Sequence, residues 1–118
     1  MGRFLPNVMV SESLLCRIRA EAERCSVVSS GRMSGLIRSA VYALVSDDLH
    51  WASKGRDWHP SDEVSDSPPF LKHLPKTPAS EELVRLLEQA VAWRKWSDPS
   101  YSASRFIREA LCKRLPVS

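Results

Sequence analysis

This chain of 118 residues is short of the residue types and spacings on which most protein chemistry relies. Its three histidines (His50, His59, His73) and three cysteines (Cys16, Cys25, Cys112) share no metal-ligand spacing, and neither Cys-x-x-Cys nor His-x-x-x-His occurs. Four glycines do not make a phosphate-cradling loop; Gly31 and Gly35 read as a turn and a tolerant helix start. No apolar run is long enough to cross a bilayer, and the first residues lack the basic-then-apolar plan of a signal peptide. An odd number of unclustered cysteines reads as reduced, mostly packed thiols of a cytoplasmic protein, not a disulfide framework. His59, Asp62 and Glu63 come nearest to a catalytic cluster, but they lie in a stretch whose polar residues read as solvated. The expectation is a protein that is not an enzyme, with no cofactor, no metal and no membrane partner.

What is there suits one compact domain, with 43% apolar and 26% charged residues. The net charge of +3 is unevenly spread. Residues 1–46 hold six Arg against three Glu, residues 47–72 hold three Lys/Arg against six Asp/Glu, and residues 73–118 hold eight against five. Two basic lobes around an acidic middle suit a polyanionic partner, although charge alone is a weak signal.

The strongest feature is a repeat. "LPNVMVSESL" from Leu5 returns as "LPKTPASEEL" from Leu74, an offset of 69 residues. Continuing from Ser11 on Ser80 sets Leu14 on Leu83, Leu15 on Val84, Ile18 on Leu87 and Ala22 on Val91, one stripe of an amphipathic helix. Ser11 and Ser80 stand where N-caps belong, each followed by acidic residues that favour the positive end of a helix. After one extra loop residue, "SGLIRSAVYALV" from Ser34 lies on "SRFIREALCKRL" from Ser104. That sets Leu36 and Ile37 on Phe106 and Ile107, Arg38 on Arg108, Ala40 on Ala110, Val41 on Leu111 and Val45 on Leu115. Each copy, residues 4–46 and 73–116, is therefore an extended segment, a helix, a turn and a second helix. Neither buries its stripes alone, so each needs the other. Residues 47–72 read as an irregular acidic connector whose Trp51, Trp58 and Phe70 pack onto the helices.

In the first opening, alternation with Val8 and Val10 inward turns Asn7 and Met9 outward. The same parity in the second sends Thr77 and Ala79 inward, Lys76 and Pro78 outward. The openings should pair as a short antiparallel ribbon over the helices. Pro75 and Pro78 are an odd number of residues apart, so in a regular strand one nitrogen faces the partner without a donor; pairing should begin just after Pro6 and Pro75.

Strand, Ser-capped helix, turn, and a helix reading "SRFIREAL" resemble the ribbon-helix-helix DNA-binding proteins. The resemblance covers all but the connector, and "SESLLCRIRAEAERC" fits the family's first helix. It implies a mainly α, single-chain pseudo-dimer: a monomer with internal twofold symmetry whose ribbon enters the major groove of double-stranded DNA. It also implies base contacts from Asn7, Met9 and Lys76, with Thr77 or Pro78. Phosphate contacts would come from the second-helix N-termini at Arg32, Met33 and Ser34 and at Ser102, Ala103 and Ser104. Arg3 and Lys72 flank the openings and would reach the backbone. The tandem form is similar to that of accessory factors in T-DNA transfer, so relaxases or other DNA-transfer proteins are further expected partners. The strands carry fewer polar side chains than the family's usually do, which implies weak specificity and an asymmetric site. A repressor of the same fold and a pure protein-interaction module are the alternatives. Arg17, Arg19 and Arg24 beside Glu21 and Glu23 read as a salt-bridged face. Trp93 and Trp96 read as core, and Arg38 and Arg108 as either structural or phosphate-binding.

Overall fold

The computed structural model describes residues 3–25 and 32–115; the expected turn between the first two helices lies outside them. The described chain is mainly helical: α1 Glu12–Cys25, α2 Arg32–Ser53, α3 Glu81–Lys95 and α4 Ala103–Arg114. The helix positions matched above as apolar pairs are all buried. Leu14, Leu15, Ile18 and Ala22 of α1 share one core with Leu83, Val84, Leu87 and Val91 of α3. Leu36, Ile37, Ala40, Val41 and Val45 of α2 meet Phe106, Ile107, Ala110 and Leu111 of α4, with Leu115 just beyond. The second helix lies against the other three, most extensively against α4. Both expected caps form: Ser11 Oγ accepts from the Leu14 N–H (3.0 Å) and Ser80 Oγ from the Leu83 N–H (3.1 Å). Each satisfies a donor that the first turn leaves without an intrahelical partner.

The openings pair antiparallel as four two-residue strands: β1 Arg3–Phe4, β2 Met9–Val10, β3 Lys72–His73 and β4 Pro78–Ala79. β1 pairs with β4 (Arg3 opposite Ala79), and β2 with β3 (Val10 opposite Lys72). Between these ends the Leu5 N–H donates to the Thr77 carbonyl (2.9 Å), and the Leu74 N–H donates to the Val8 carbonyl (3.0 Å). The 69-residue offset turns each contact into the other. Pairing thus runs on both sides of Pro6 and Pro75, not only after them as expected. Pro78 sits opposite Phe4, one residue from the bonded Leu5–Thr77 position, so its nitrogen points away from the partner strand and no ladder bond is lost.

Two other expectations need correction. Residues 47–53 are not irregular connector but the last turns of α2. Asp48 continues the buried row of Val41, Leu44 and Val45 at helical spacing, and an ion pair there hides its polarity from a hydrophobic pattern. Cys16 and Trp96, read as packed, are exposed. The rest of the connector holds a 3-10 turn at Pro60–Asp62, a buried Trp58, and Asp66, whose carboxylate accepts from the Ser11 N–H (2.7 Å) and hydroxyl (2.6 Å). Among the described residues no helix is long and apolar enough to cross a membrane.

Inside the second half lies Arg94, 1% exposed. Its Nε and Nη2 donate to Asp48 (2.6 and 2.9 Å), its Nη1 and Nη2 to Glu109 (2.9 and 3.1 Å), and its Nη1 to the Tyr101 hydroxyl (2.8 Å). All five guanidinium donors are therefore satisfied. Trp58 and Phe106 rings each lie 4.8 Å from its carbon, and Lys113 pairs with Glu109 at 3.2 Å. Burial alone would lower the Arg94 pKa, but the hydrogen bonds to Asp48 and Glu109 hold it above its ordinary value, so the cation is retained. Burial pushes the Asp48 carboxyl up, and Arg94 offsets this only in part.

Arg94→Met should therefore cost about 3–5 kcal/mol in urea unfolding near neutral pH, as expected when one partner leaves a buried ion pair. A stranded Asp48 has a folded pKa above its unfolded value, so its ionisation weakens the fold as pH rises through the folded pKa. The penalty should accordingly shrink when the melts are repeated near pH 4.5; a pH-independent penalty would contradict this account.

Candidate nucleic-acid interface

The ribbon's outer face follows from its prolines. Hydrogen bonds fall at residues 5 and 8 of one strand and 74 and 77 of the other, three residues apart, where regular alternation requires two or four. The register is the same on both sides, so no residue bulges out; the pleat skips one phase at Pro6–Asn7 and again at Pro75–Lys76. Leu5 and Val8 both turn inward, and Pro6 and Asn7 are both exposed between them. Within 7–10 and 76–79 the expected alternation holds, with Asn7, Lys76 and Pro78 exposed and Met9 half-buried. Beyond the skip the parity reverses, so Phe4 and His73 join the exposed face. An alternation continued unbroken through Pro6 and Pro75 would turn these two inward. The Lys76 ammonium stands 4.5 Å above the Phe4 ring, a contact across the strands.

Thr77 does not belong to this face. It is 3% exposed, and its hydroxyl donates to the Pro75 carbonyl (3.0 Å), so it fills the inner side of the ribbon and has no donor left for a base. Pro78, the alternative at this place, is outward but carries no polar side chain. Arg3 and Lys72 are exposed at the ribbon's two ends, each opposite a buried partner and hence on the helix side. Arg3 lies 3.9 Å from Glu88 of α3, and Lys72 lines a cavity beside the start of α1.

The N-terminal parts of α2 and α4 flank the ribbon. Arg38, in the second turn of α2, donates to the Pro78 carbonyl (3.0 Å); Arg108, in the second turn of α4, donates to the Met9 carbonyl (3.0 Å). The aligned arginines thus each cross to the strand of the other copy. Both carbonyls sit at positions whose backbone groups point away from the partner strand, where no ladder bond would satisfy them. Sequence reasoning left these arginines undecided because their partner is backbone. The Phe70 ring supports Arg108 at 4.2 Å.

The expected phosphate positions are unequal. Ser34 is half-buried near the start of α2, and the Arg32 side chain lies outside the described residues. At α4 the Ser102 hydroxyl caps the Arg105 N–H (3.4 Å), and Ser104 is half-buried. The Arg105 guanidinium is held by Glu63 of the connector and by Asp98 (2.9 Å), over the Tyr101 ring. Glu63 hydrogen bonding raises the Arg105 pKa. Ser100 and Arg105 bonds draw the Asp98 carboxyl below its usual range. The start of α4 therefore carries acidic company, and no equivalent ion pair at the start of α2 is found among the described residues.

Among the described residues no group of three metal-binding side chains comes together. Neither family models, nor curated proteins, nor solved structures gave a match to this chain.

Arg108→Ala should lower stability by about 1.5–3 kcal/mol, the range for a hydrogen bond to a charged group, here one with a half-buried acceptor. Arg38→Ala, with its more exposed bond, should cost about 1 kcal/mol or less. Chemical denaturation of both variants checks this; equal losses below about 0.5 kcal/mol would show that water replaces the arginines.

Proposed function

We propose that this chain is a single-chain ribbon-helix-helix pseudo-dimer that binds double-stranded DNA by laying its ribbon in the major groove. The observation that carries the reading is the surface ribbon itself, built from one strand of each repeat in a register that the repeat offset preserves. A two-stranded ribbon fits the width of the major groove, where each base pair offers a distinct donor and acceptor pattern. Asn7 and Lys76 are its polar readers: an amide suits adenine, an ammonium suits guanine. Met9 and Phe4 supply apolar contact for thymine methyl groups, and His73 adds a further polar tip. The first turns of α2 and α4 are the phosphate anchors, with α2 the stronger because Glu63 and Asp98 stand beside α4.

On this reading the protein acts as a monomer and an accessory factor. It would help to assemble a DNA-processing or transfer complex at a plasmid site, beside a relaxase or related proteins. The tandem arrangement is similar to that of the overdrive-binding accessory protein of agrobacterial T-DNA transfer. A repressor of the same build would use the same face. A second class of reading, a protein-interaction module, is favoured by the apolar share of the outer face: Phe4, Pro6, Pro75 and Pro78 are all exposed.

Duplex affinity, read by anisotropy of a labelled fragment, should fall with salt at a log–log slope of roughly −3 to −5, reflecting a handful of displaced counterions. No binding in low-salt buffer would favour the interaction module. Asn7→Ala with Lys76→Ala should flatten preference among duplexes and leave the melting temperature nearly unchanged, since both side chains are exposed. Glu63→Gln removes a negative charge beside the start of α4, and duplex binding should tighten about two- to fivefold at low salt. Weaker binding by this variant would mean that Glu63 serves the interface by positioning Arg105.

A further inference from the structure

The sequence "WRKW" at residues 93–96 divides in the fold. Arg94 is wholly interior, while Trp93, Lys95 and Trp96 come out at the C-terminal end of α3. A helix rises about 1.5 Å per residue, so this end stands about 20 Å from the Ser80 cap beside the ribbon. The Trp93 indole N–H donates to the Arg56 carbonyl (3.2 Å), and the Arg56 guanidinium lies 4.2 Å over the Trp51 ring. Trp58 is buried against Tyr101. Three of the four tryptophans are thus engaged; Trp96 finds no such partner among the described residues and is 88% exposed, one helical turn beyond Trp93 on the same face.

We propose that this end of the molecule is a second nucleic-acid contact that takes single-stranded DNA, one base stacking on Trp96 and neighbouring phosphates lying against Lys54, Arg56 and Lys95. The exposed indole offers an open apolar face whose burial against a ligand would be favourable. A base has a flat π-face of the right size, and aromatic platforms set among cations are the general device for holding unpaired strands. The surroundings favour a polyanion: Lys54, Arg56 and Lys95 are exposed, against Asp57 on the same turn. The nearby Asp98 carboxylate is already taken by Ser100 and Arg105. Trp96 and Arg56 would suit a protein partner as well, but Lys54 and Lys95, a residue type depleted where proteins meet, favour the polyanion. This contact is separate from the ribbon and does not depend on duplex binding.

The test is a titration of the intact chain with oligo(dT) of about 12 nucleotides at low salt, read by indole quenching and by anisotropy of the labelled strand. Wild type should bind with quenching. Trp96→Ala should weaken binding about tenfold, the loss of one base stack, and Trp96→Phe should keep most of it. Duplex affinity and melting temperature of Trp96→Ala should stay at wild-type values, while the Asn7→Ala, Lys76→Ala double variant should still bind oligo(dT). Absence of quenching, or equal oligo affinity in wild type and Trp96→Ala, overturns the proposal. So does a Trp96-dependent complex with a protein partner by a chain that binds no oligonucleotide.

Discussion

Two prolines at equivalent places in two short strands constrain everything on the ribbon. A regular antiparallel pair would place a proline nitrogen against its partner without a hydrogen to give. The chain resolves this by skipping one phase of the pleat in both strands together, which keeps the register and costs only the central bonds. The skip leaves Asn7 and Lys76 on the surface and turns Phe4 and His73 out beside them. It also leaves a ribbon with few ladder bonds, so other groups must hold it to the core. The crossed arginines do this, Arg38 on the strand of the second copy and Arg108 on the strand of the first. The ribbon is thus fixed less by its own ladder than by the helices beneath it.

The two halves share a plan but not a chemistry. In the second, Arg94 gathers Asp48 from α2, Glu109 from α4 and the ring of Trp58 from the connector. Its repeat counterpart is Cys25, so the first half has no cation at that position. A buried guanidinium with all five donors bonded adds little net stability over an apolar core, but it penalises any packing that strands its carboxylates. That makes it a device for register: it fixes how α2, α3 and α4 sit against one another. The connector adds two more unequal ties, Asp66 on the cap of α1 and Glu63 on the start of α4.

How much of this was legible follows from the kind of signal each residue gives. The core was readable almost position by position, because apolar spacing is a direct record of which face a helix buries. From Leu14 to Leu115, the aliphatic and Phe pairs that the repeat aligns are buried in both copies, while Tyr42, set on Cys112, is exposed. The caps were readable for the same reason: Ser11 and Ser80 act on their own next turn. Asp48 and Arg94 were not, since a polar residue looks solvated until its partner, 46 positions away, is known. The outward turn of Phe4 and His73 was not foreseen for another reason. Both lie before the prolines, where pairing was not expected, so no face was assigned to them. Trp96 was misread because a helix-end aromatic usually packs, and nothing local says that this one has no neighbour.

Residues at equivalent places in the ribbon carry the asymmetry into any site that it reads. Asn7 and Lys76 occupy the same position in the two copies, one step after the shared proline. By the common register, Asn7 stands opposite Pro75 and Lys76 opposite Pro6. Each central row therefore offers one polar side chain and one proline, on alternate strands. An amide and an ammonium differ in what they prefer from a base edge, and a proline opposite neither competes nor assists. In a homodimer the two rows would be identical and the preferred sequence palindromic. Here the two rows differ, so on the proposed DNA-binding reading the target would be a sequence whose two halves differ.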